Sequence, residues 1–281
     1  MHRHHDDIFD RGLQFDLSTL LRRRHVLGLL AGAGVAALAG CAGDSEDTTA
    51  AVSESTTTSE PTTTSESTSS TDSCTEIPEE TAGPYPGDGS NGANILTESG
   101  VVRSDIRKSI GSASGVAAGV PLTINLTIQD TSASCAALAG AAVYLWHCDR
   151  DGNYSMYSES IADENYLRGV QETDATGKVT FTSIFPACYS GRWPHIHFEV
   201  YPSVAKAADS GNKIATSQLA LPADVCDTVY ATDGYSRSVS NLKQVSLDSD
   251  NVFGDDDGAR QVGAVVGTVA SGLTVTLTVP V

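Results

Sequence analysis

Between Leu122 and Gln129 the chain alternates without a break. Leu122, Ile124, Leu126 and Ile128 are apolar, and Thr123, Asn125, Thr127 and Gln129 are polar. Successive side chains of a strand turn to opposite faces, so this stretch can bury one face and wet the other only as a strand. The same period returns at Val179 and Phe181, at Ile196, Phe198 and Val200, and at Leu273, Val275, Leu277 and Val279. Residues 142–148 and 261–270 read as further strands. Gly, Asp and Ser clusters separate these runs, which predicts an all-β fold of sandwich type. Helical spacing is confined to a turn or two at 204–208 and 223–231. No internal repeat and no second globular domain is visible.

Ahead of these strands the sequence divides into two segments of different character. In residues 1–40, Arg22, Arg23 and Arg24 precede His25-Val26-Leu27 and a short run of Leu, Ala and Gly. A basic region before a short apolar one reads as an export signal, too short and Gly-rich to span a membrane. The order of its residues looks like a twin-arginine signal, and Leu38-Ala39-Gly40-Cys41 resembles a lipoprotein cleavage box. Lipidation at Cys41 is therefore expected, leaving the protein anchored to the outer face of the cell membrane. Residues 41–73 are then mostly Ser, Thr, Glu and Asp with no aromatic residue, and read as a disordered tether. Residues 74–281 form the domain. The net charge of −18 argues against nucleic acid, whose phosphates this surface would repel.

Setting Cys41 aside leaves Cys74, Cys135, Cys148, Cys188 and Cys226. In an oxidising compartment two disulfides and one free thiol are expected, with the pairing open. Of the histidines, only His147, His195 and His197 lie in the domain. His195 and His197 sit two apart on a predicted strand, so both imidazoles project from one face while Ile196, Phe198 and Val200 pack on the other. Two co-facial imidazoles are half of a metal site, or a hydrogen-bonded structural pair. His147 reads as a structural hydrogen-bonding residue.

The stretches around that pair carry a resemblance. Gly140-Ala141-Ala142-Val143-Tyr144-Leu145-Trp146-His147, Asp151-Gly152-Asn153-Tyr154-Ser155 and Tyr166-Leu167-Arg168-Gly169-Val170-Gln171-Glu172-Thr173-Asp174 follow in order. Pro186-Ala187-Cys188-Tyr189-Ser190-Gly191-Arg192 then leads into Trp193-Pro194-His195-Ile196-His197. With Glu79-Glu80-Thr81-Ala82-Gly83-Pro84-Tyr85 upstream, the set resembles the intradiol ring-cleaving dioxygenases over about residues 74–255. The resemblance implies the β-sandwich catalytic core of that family, without the helical dimerisation region of the catechol dioxygenases. It implies non-haem Fe(III) held by Tyr154, Tyr189, His195 and His197. Phenolate oxygen is a hard anionic donor suited to a ferric ion, whereas structural zinc favours Cys and His.

The implied reaction cleaves a catechol-type ring with O2, between its two hydroxylated carbons, to a muconate-type dicarboxylate. Tyr189 would accept a substrate proton. Arg192 and Gln218 would stabilise charge developing on the ring, and Pro84 and Tyr85 would line the substrate pocket. Homodimer formation stays open. The other reading is a non-catalytic sandwich lipoprotein that binds a phenol or a sugar.

Several signals fail. Asp248-Ser249-Asp250-Asn251 and Asp255-Asp256-Asp257-Gly258 do not match calcium-loop spacing and read as solvated acidic loops. Two glycosylation sequons, at Asn125 and Asn153, are discounted beside a prokaryotic lipobox, and no Gly-x-Ser-x-Gly elbow supports a hydrolase.

Overall fold

The computed structural model describes residues 74–281; the export signal, Cys41 and the tether read from residues 1–73 lie outside the described residues. Two sheets face each other across one core. The first is built on β1 (Pro121–Asp130), the strand of unbroken alternation. β9 (Gly272–Pro280) runs parallel to it, Leu122 opposite Leu273, and β8 (Ala264–Thr268) pairs antiparallel with β9. Along the other edge of β1 lies β5 (Lys178–Ile184), with the short β2 (Ala136–Ala137) past its end. The second sheet is antiparallel throughout, in the order β4 (Arg168–Glu172), β3 (Ala142–Trp146), β6 (His195–Tyr201), β7 (Ala215–Ala220).

Leu122, Ile124, Leu126 and Ile128 of β1 enter the core with Phe181 of β5 and Val275 of β9. From the second sheet come Val143 and Leu145 of β3 and Ile196, Phe198 and Val200 of β6. Each such side chain contributes about 1.5–3 kcal/mol by leaving water. The outer face of β1 stays partly wet, as its polar alternates require. The second sheet differs, because every residue of β3, β6 and β7 is buried. Its outer face carries Tyr144, Trp146, Arg168, His195, His197, Glu199 and Gln218, and is roofed by irregular chain.

The principal cover is a strap, residues 77–96. It starts beside β9, where the Ile77 amide donates to Pro280 O (2.9 Å). It then meets β7, with the Glu80 amide on Thr216 O (2.7 Å) and Ser217 Oγ donating to Pro78 O (2.7 Å). At the far side Tyr144 Oη donates to Pro86 O (2.6 Å), and Lys213 Nζ bridges Asp88 and Glu199 at 3.0 Å each.

Helices α1 (Val204–Ala207) and α2 (Ala223–Tyr230) form where helical spacing was expected. A third, α3 (Ser236–Leu242), was not foreseen. Its buried residue is Ser238, whose Oγ accepts the Cys188 amide (3.0 Å), and a helix without an apolar stripe leaves no periodic signal.

Three expectations are corrected. The strand expected over 261–270 is only Ala264–Thr268, because Gln261 is drawn inward and donates to Ser217 Oγ and Gln218 O, both at 3.2 Å. The Asp248–Asn251 loop is not wholly solvated, since Asp250 is 2% exposed. Two disulfides were expected, but the described residues hold one, Cys74–Cys135, and Cys148, Cys188 and Cys226 are free and buried. Cys148 Sγ donates to Ala187 O (3.6 Å) and Cys188 Sγ to Arg192 O (3.5 Å), so these thiols behave as small core groups. Burial pushes the Cys188 thiol up to about 12, which removes its thiolate reactivity. The bridge closes 61 residues and on a chain-entropy account stabilises the fold by about 4 kcal/mol.

Phe198 is fully buried, directly behind the His195/His197 face. Phe198→Ala is expected to cost about 3–5 kcal/mol, through lost transfer energy and a residual cavity. Chemical denaturation of the variant against the parent measures it.

Candidate active site

Four side chains converge on the outer face of the second sheet. β6 supplies His195 and His197, placed on one side by the strand period. Tyr154 comes from the loop that follows β3, where Asp149 Oδ1 accepts the amides of Asp151 and Asn153 (2.9 Å each) and turns the chain back. Tyr189 comes from the loop between β5 and β6. Tyr154 Oη lies 3.4 Å from both Tyr189 Oη and His195 Nε2. His195 Nε2 is 3.2 Å from Tyr189 Oη and 3.1 Å from His197 Nε2. Residues separated by up to 43 positions thus bring four donor atoms to one point.

The donor set can be tested for a metal. Atoms 3.1–3.4 Å apart can share an ion about 2 Å from each, the usual length for nitrogen and oxygen ligands. His195 Nδ1 donates to Trp193 O (2.5 Å), which fixes the tautomer and leaves the Nε2 lone pair facing the cluster. His197 stacks on Trp146, with ring centroids 4.8 Å apart and planes 4° from parallel. Burial, then the Arg192 charge, pulls His195 down to about 3, and burial with His195 and Arg192 holds His197 well below its ordinary value. Both rings are therefore neutral, the form in which an imidazole can bind a metal. Burial, then Tyr189, pushes the Tyr154 phenol well up, so its ionisation calls for a strong cation at the donor point. Among the described residues no group of three His, Cys, Asp or Glu side chains is placed to hold a metal. The donors fit a hard ferric ion better than zinc.

Beside them Arg192 Nη2 donates to Gln218 Oε1 (2.7 Å), and Gln218 Nε2 donates to Thr81 O of the strap (2.8 Å). Gln218 stands opposite His197 in the β6–β7 register. Sequence reasoning missed the residue that fixes this pair. Asp250 Oδ2 accepts Arg192 Nε (3.0 Å) and the Trp193 amide (2.6 Å), while Oδ1 accepts the amides of Val252 (2.8 Å) and Phe253 (3.1 Å). Burial opposes its charge, but Arg192 and these amides hold its carboxyl below the usual range. The available signal was the apolar Val252-Phe253 beginning two residues after it, which a solvated loop does not need.

The strap puts Gly83 over His197. A Cβ there would stand 3.5 Å from His197 Cε1, and the φ of +68° also favours glycine. The Tyr85 ring packs 5.0 Å from the Tyr154 ring and 5.2 Å from Tyr157, and Pro84 lies between Gly83 and Tyr85, half-buried. Both expected pocket residues therefore adjoin the donor cluster. His147 stands apart from it, with Nδ1 2.7 Å from Cys148 O and Nε2 2.7 Å from Ser183 Oγ, the structural role expected.

A family profile described as a dioxygenase matches residues 103–231, a span that contains all four donors, Arg192 and Gln218. An intradiol ring-cleavage dioxygenase from Tetranychus urticae is similar in structure, with a TM-score of 0.56 and 25% identity over 74% of this chain and 96% of that one. The domain is similar to the intradiol ring-cleavage dioxygenases in both comparisons. Among curated relatives of this family, a chlorocatechol 1,2-dioxygenase of Rhodococcus opacus is 38% identical over 61 residues, 22% of this chain and 23% of that one. A catechol 1,2-dioxygenase of Acinetobacter lwoffii is 43% identical over 53 residues, 19% of each chain. The matched stretch thus spans about a fifth to a quarter of those relatives' length.

Two predictions follow from the groups around the donors. Asp250→Asn keeps the shape but leaves the buried Arg192 charge uncompensated, and is expected to cost about 3 kcal/mol of stability, read by urea unfolding. His147 is pulled down to about 4 by burial, whereas the unfolded chain binds that proton near 6.5. Its contribution is full above pH 6.5 and is lost as pH falls from 6.5 towards 4, because the unfolded state then binds the extra proton. His147→Gln should flatten the stability-versus-pH curve of the metal-free protein in that window.

Proposed function

We propose that this protein is a non-haem Fe(III) dioxygenase that opens a catechol-type ring between its two hydroxylated carbons, placing both atoms of O2 in a muconate-type dicarboxylate. The observation that carries the reading is the meeting of Tyr154, Tyr189, His195 and His197 donor atoms at 3.1–3.4 Å in a buried site. Ferric iron held by these donors would supply Lewis-acid polarisation of the catechol oxygens and a template for O2. Tyr189 is more exposed than Tyr154 and sits on a loop, so its Oη is the donor suited to take a substrate proton. Arg192, oriented by Asp250 and Gln218, presents a fixed positive charge to the carbon skeleton as negative charge moves onto it. Gly83, Pro84 and Tyr85 cover the site and narrow its access to a flat ring.

The deciding experiment is reconstitution with ferric iron. Bound tyrosinate should give a visible charge-transfer band that shifts on adding catechol, and oxygen uptake should match ring cleavage one to one. Tyr154→Phe and His197→Ala should each lose iron and colour. A colourless protein that takes up no iron would turn the reading to a non-catalytic phenol- or sugar-binding sandwich. Arg192→Leu should keep iron, colour and the catechol-induced shift while kcat falls about 10²–10³-fold, the scale for losing one preorganised donor.

The compartment is part of the proposal. Export through the twin-arginine signal and anchoring through Cys41 agree with the Cys74–Cys135 disulfide, a bond that persists in oxidising surroundings. Cys41→Ser should move the protein from the membrane to the soluble fraction, and Lys at positions 23 and 24 should block export.

A further inference from the structure

Arg168 is the most deeply buried arginine among the described residues, 1% exposed, and all five of its N–H groups have partners. Nη1 donates to Pro86 O (2.8 Å) and Tyr144 Oη (3.0 Å), Nη2 to Tyr85 O (2.9 Å) and Ser155 O (3.0 Å), and Nε to Ser155 Oγ (3.1 Å). Every acceptor is neutral. The guanidinium also lies 5.3 Å from the centroid of the Tyr157 ring. A buried cation without a carboxylate is unusual, and its charge is carried by oxygens that belong to two separate segments. One segment is the strap at Tyr85 and Pro86. The other is the loop at Ser155, adjacent in sequence to the donor Tyr154. Tyr85 in turn packs on Tyr154 at 5.0 Å, so the clamp closes a circuit through strap, ligand loop and β4.

We propose that Arg168 is a positioning residue that sets the wall of the substrate site. It touches neither a donor atom nor the place of the substrate. By gripping Tyr85 O, Pro86 O and Ser155 together it fixes the distance between the Tyr85 ring and the donor cluster. This inference rests on the dioxygenase reading for its kinetic consequence, but its structural consequence stands without it. A planar fork is needed for the job, because a lysine ammonium has three donors on a flexible stem and cannot reach both segments in these directions. The local chain agrees: Gly87 has a φ of +64°, and a Cβ there would stand 2.9 Å from Arg168 Nη1. The chain passes so close to the guanidinium that a side chain has no room.

The test is Arg168→Lys in the whole protein, with and without ferric iron. Amide hydrogen exchange of residues 83–88 should speed up at least about tenfold in both forms, because the strap loses the Arg168 hydrogen bonds to Tyr85 O and Pro86 O, which Tyr144 and Lys213 alone do not replace. Iron content and colour should stay at the parent level. With catechol, KM should rise about tenfold while kcat stays within about threefold, because a wall contact acts on ground state and transition state alike. The KM ratio between a bulky 4-substituted catechol and catechol itself should fall, as a loosened wall excludes less.

Parent-like exchange and KM would overturn the proposal, as would a fall in kcat at unchanged KM. Should the lysine variant fail to fold, Tyr144→Phe removes one hydroxyl from the same circuit and must move exchange and KM in the same direction by a smaller factor. No change in that variant overturns the clamp. A parent protein that binds no iron would defeat the dioxygenase reading instead, and the exchange measurement on the metal-free protein would still judge Arg168.

Discussion

Four polar rings meet inside this protein with the His195 Nε2 atom 3.1–3.4 Å from the donor atoms of the other three, and apolar packing by itself would drive such groups to water. Much of the second sheet can be understood as the means of holding them. The two imidazoles are fixed from behind, because Ile196, Phe198 and Val200 alternate with them on β6 and are locked in the core. They are fixed from the side as well, His195 by the Trp193 carbonyl and His197 by the face of Trp146. The strand therefore converts core-packing energy into the position of two imidazoles. A small displacement of either histidine would require Phe198 or its neighbours to leave a fully packed interior.

The roof over the site solves a second problem. The strap from 77 to 96 has little regular pairing, so its backbone groups need partners supplied from elsewhere. The sheet beneath provides them with side chains. Ser217 caps Pro78 O, Gln218 caps Thr81 O, Tyr144 and Arg168 cap Pro86 O, and Arg168 caps Tyr85 O. Polar residues at these outward positions are thus not a solvated face, and the continuous burial of β3, β6 and β7 records it. Gln218 joins the roof to the charge network through Arg192, so the geometry above the donors and the electrostatics beside them are set by one amide.

Buried charge is handled in three different ways around one site. Arg192 has a carboxylate partner in Asp250 and an amide in Gln218. Lys213 is shared between Asp88 of the strap and Glu199 of β6. Arg168 has neutral oxygens alone. In each case the charge joins a segment of irregular chain to the sheet, where direction matters more than net attraction, because a buried ion pair brings little net stability once desolvation is counted.

What the sequence determined by itself was whatever rests on local period and local motif. The alternation in β1, β6 and β9 specified strands and named the core face, and two residues of separation put His195 and His197 on one side. The order of short motifs pointed to Tyr154, Tyr189, His195, His197, Arg192, Gln218 and Tyr85, and the fold brings their side chains near one another. Other features depend on residues far apart in the chain, and only the tertiary structure decided them. Asp250 reads locally as one acid in an acidic loop, and its role comes from meeting Arg192 across 58 positions. Arg168 sits in the motif Tyr166–Asp174 without a visible task until residues 82 or 83 positions earlier lay their carbonyls on it. The three thiols left unpaired, and the bridge that did form, likewise follow from which chain ends the packing brings together. Local sequence specifies which way a side chain points, because that is a property of backbone period. What it then touches is settled by long-range packing, where no period operates.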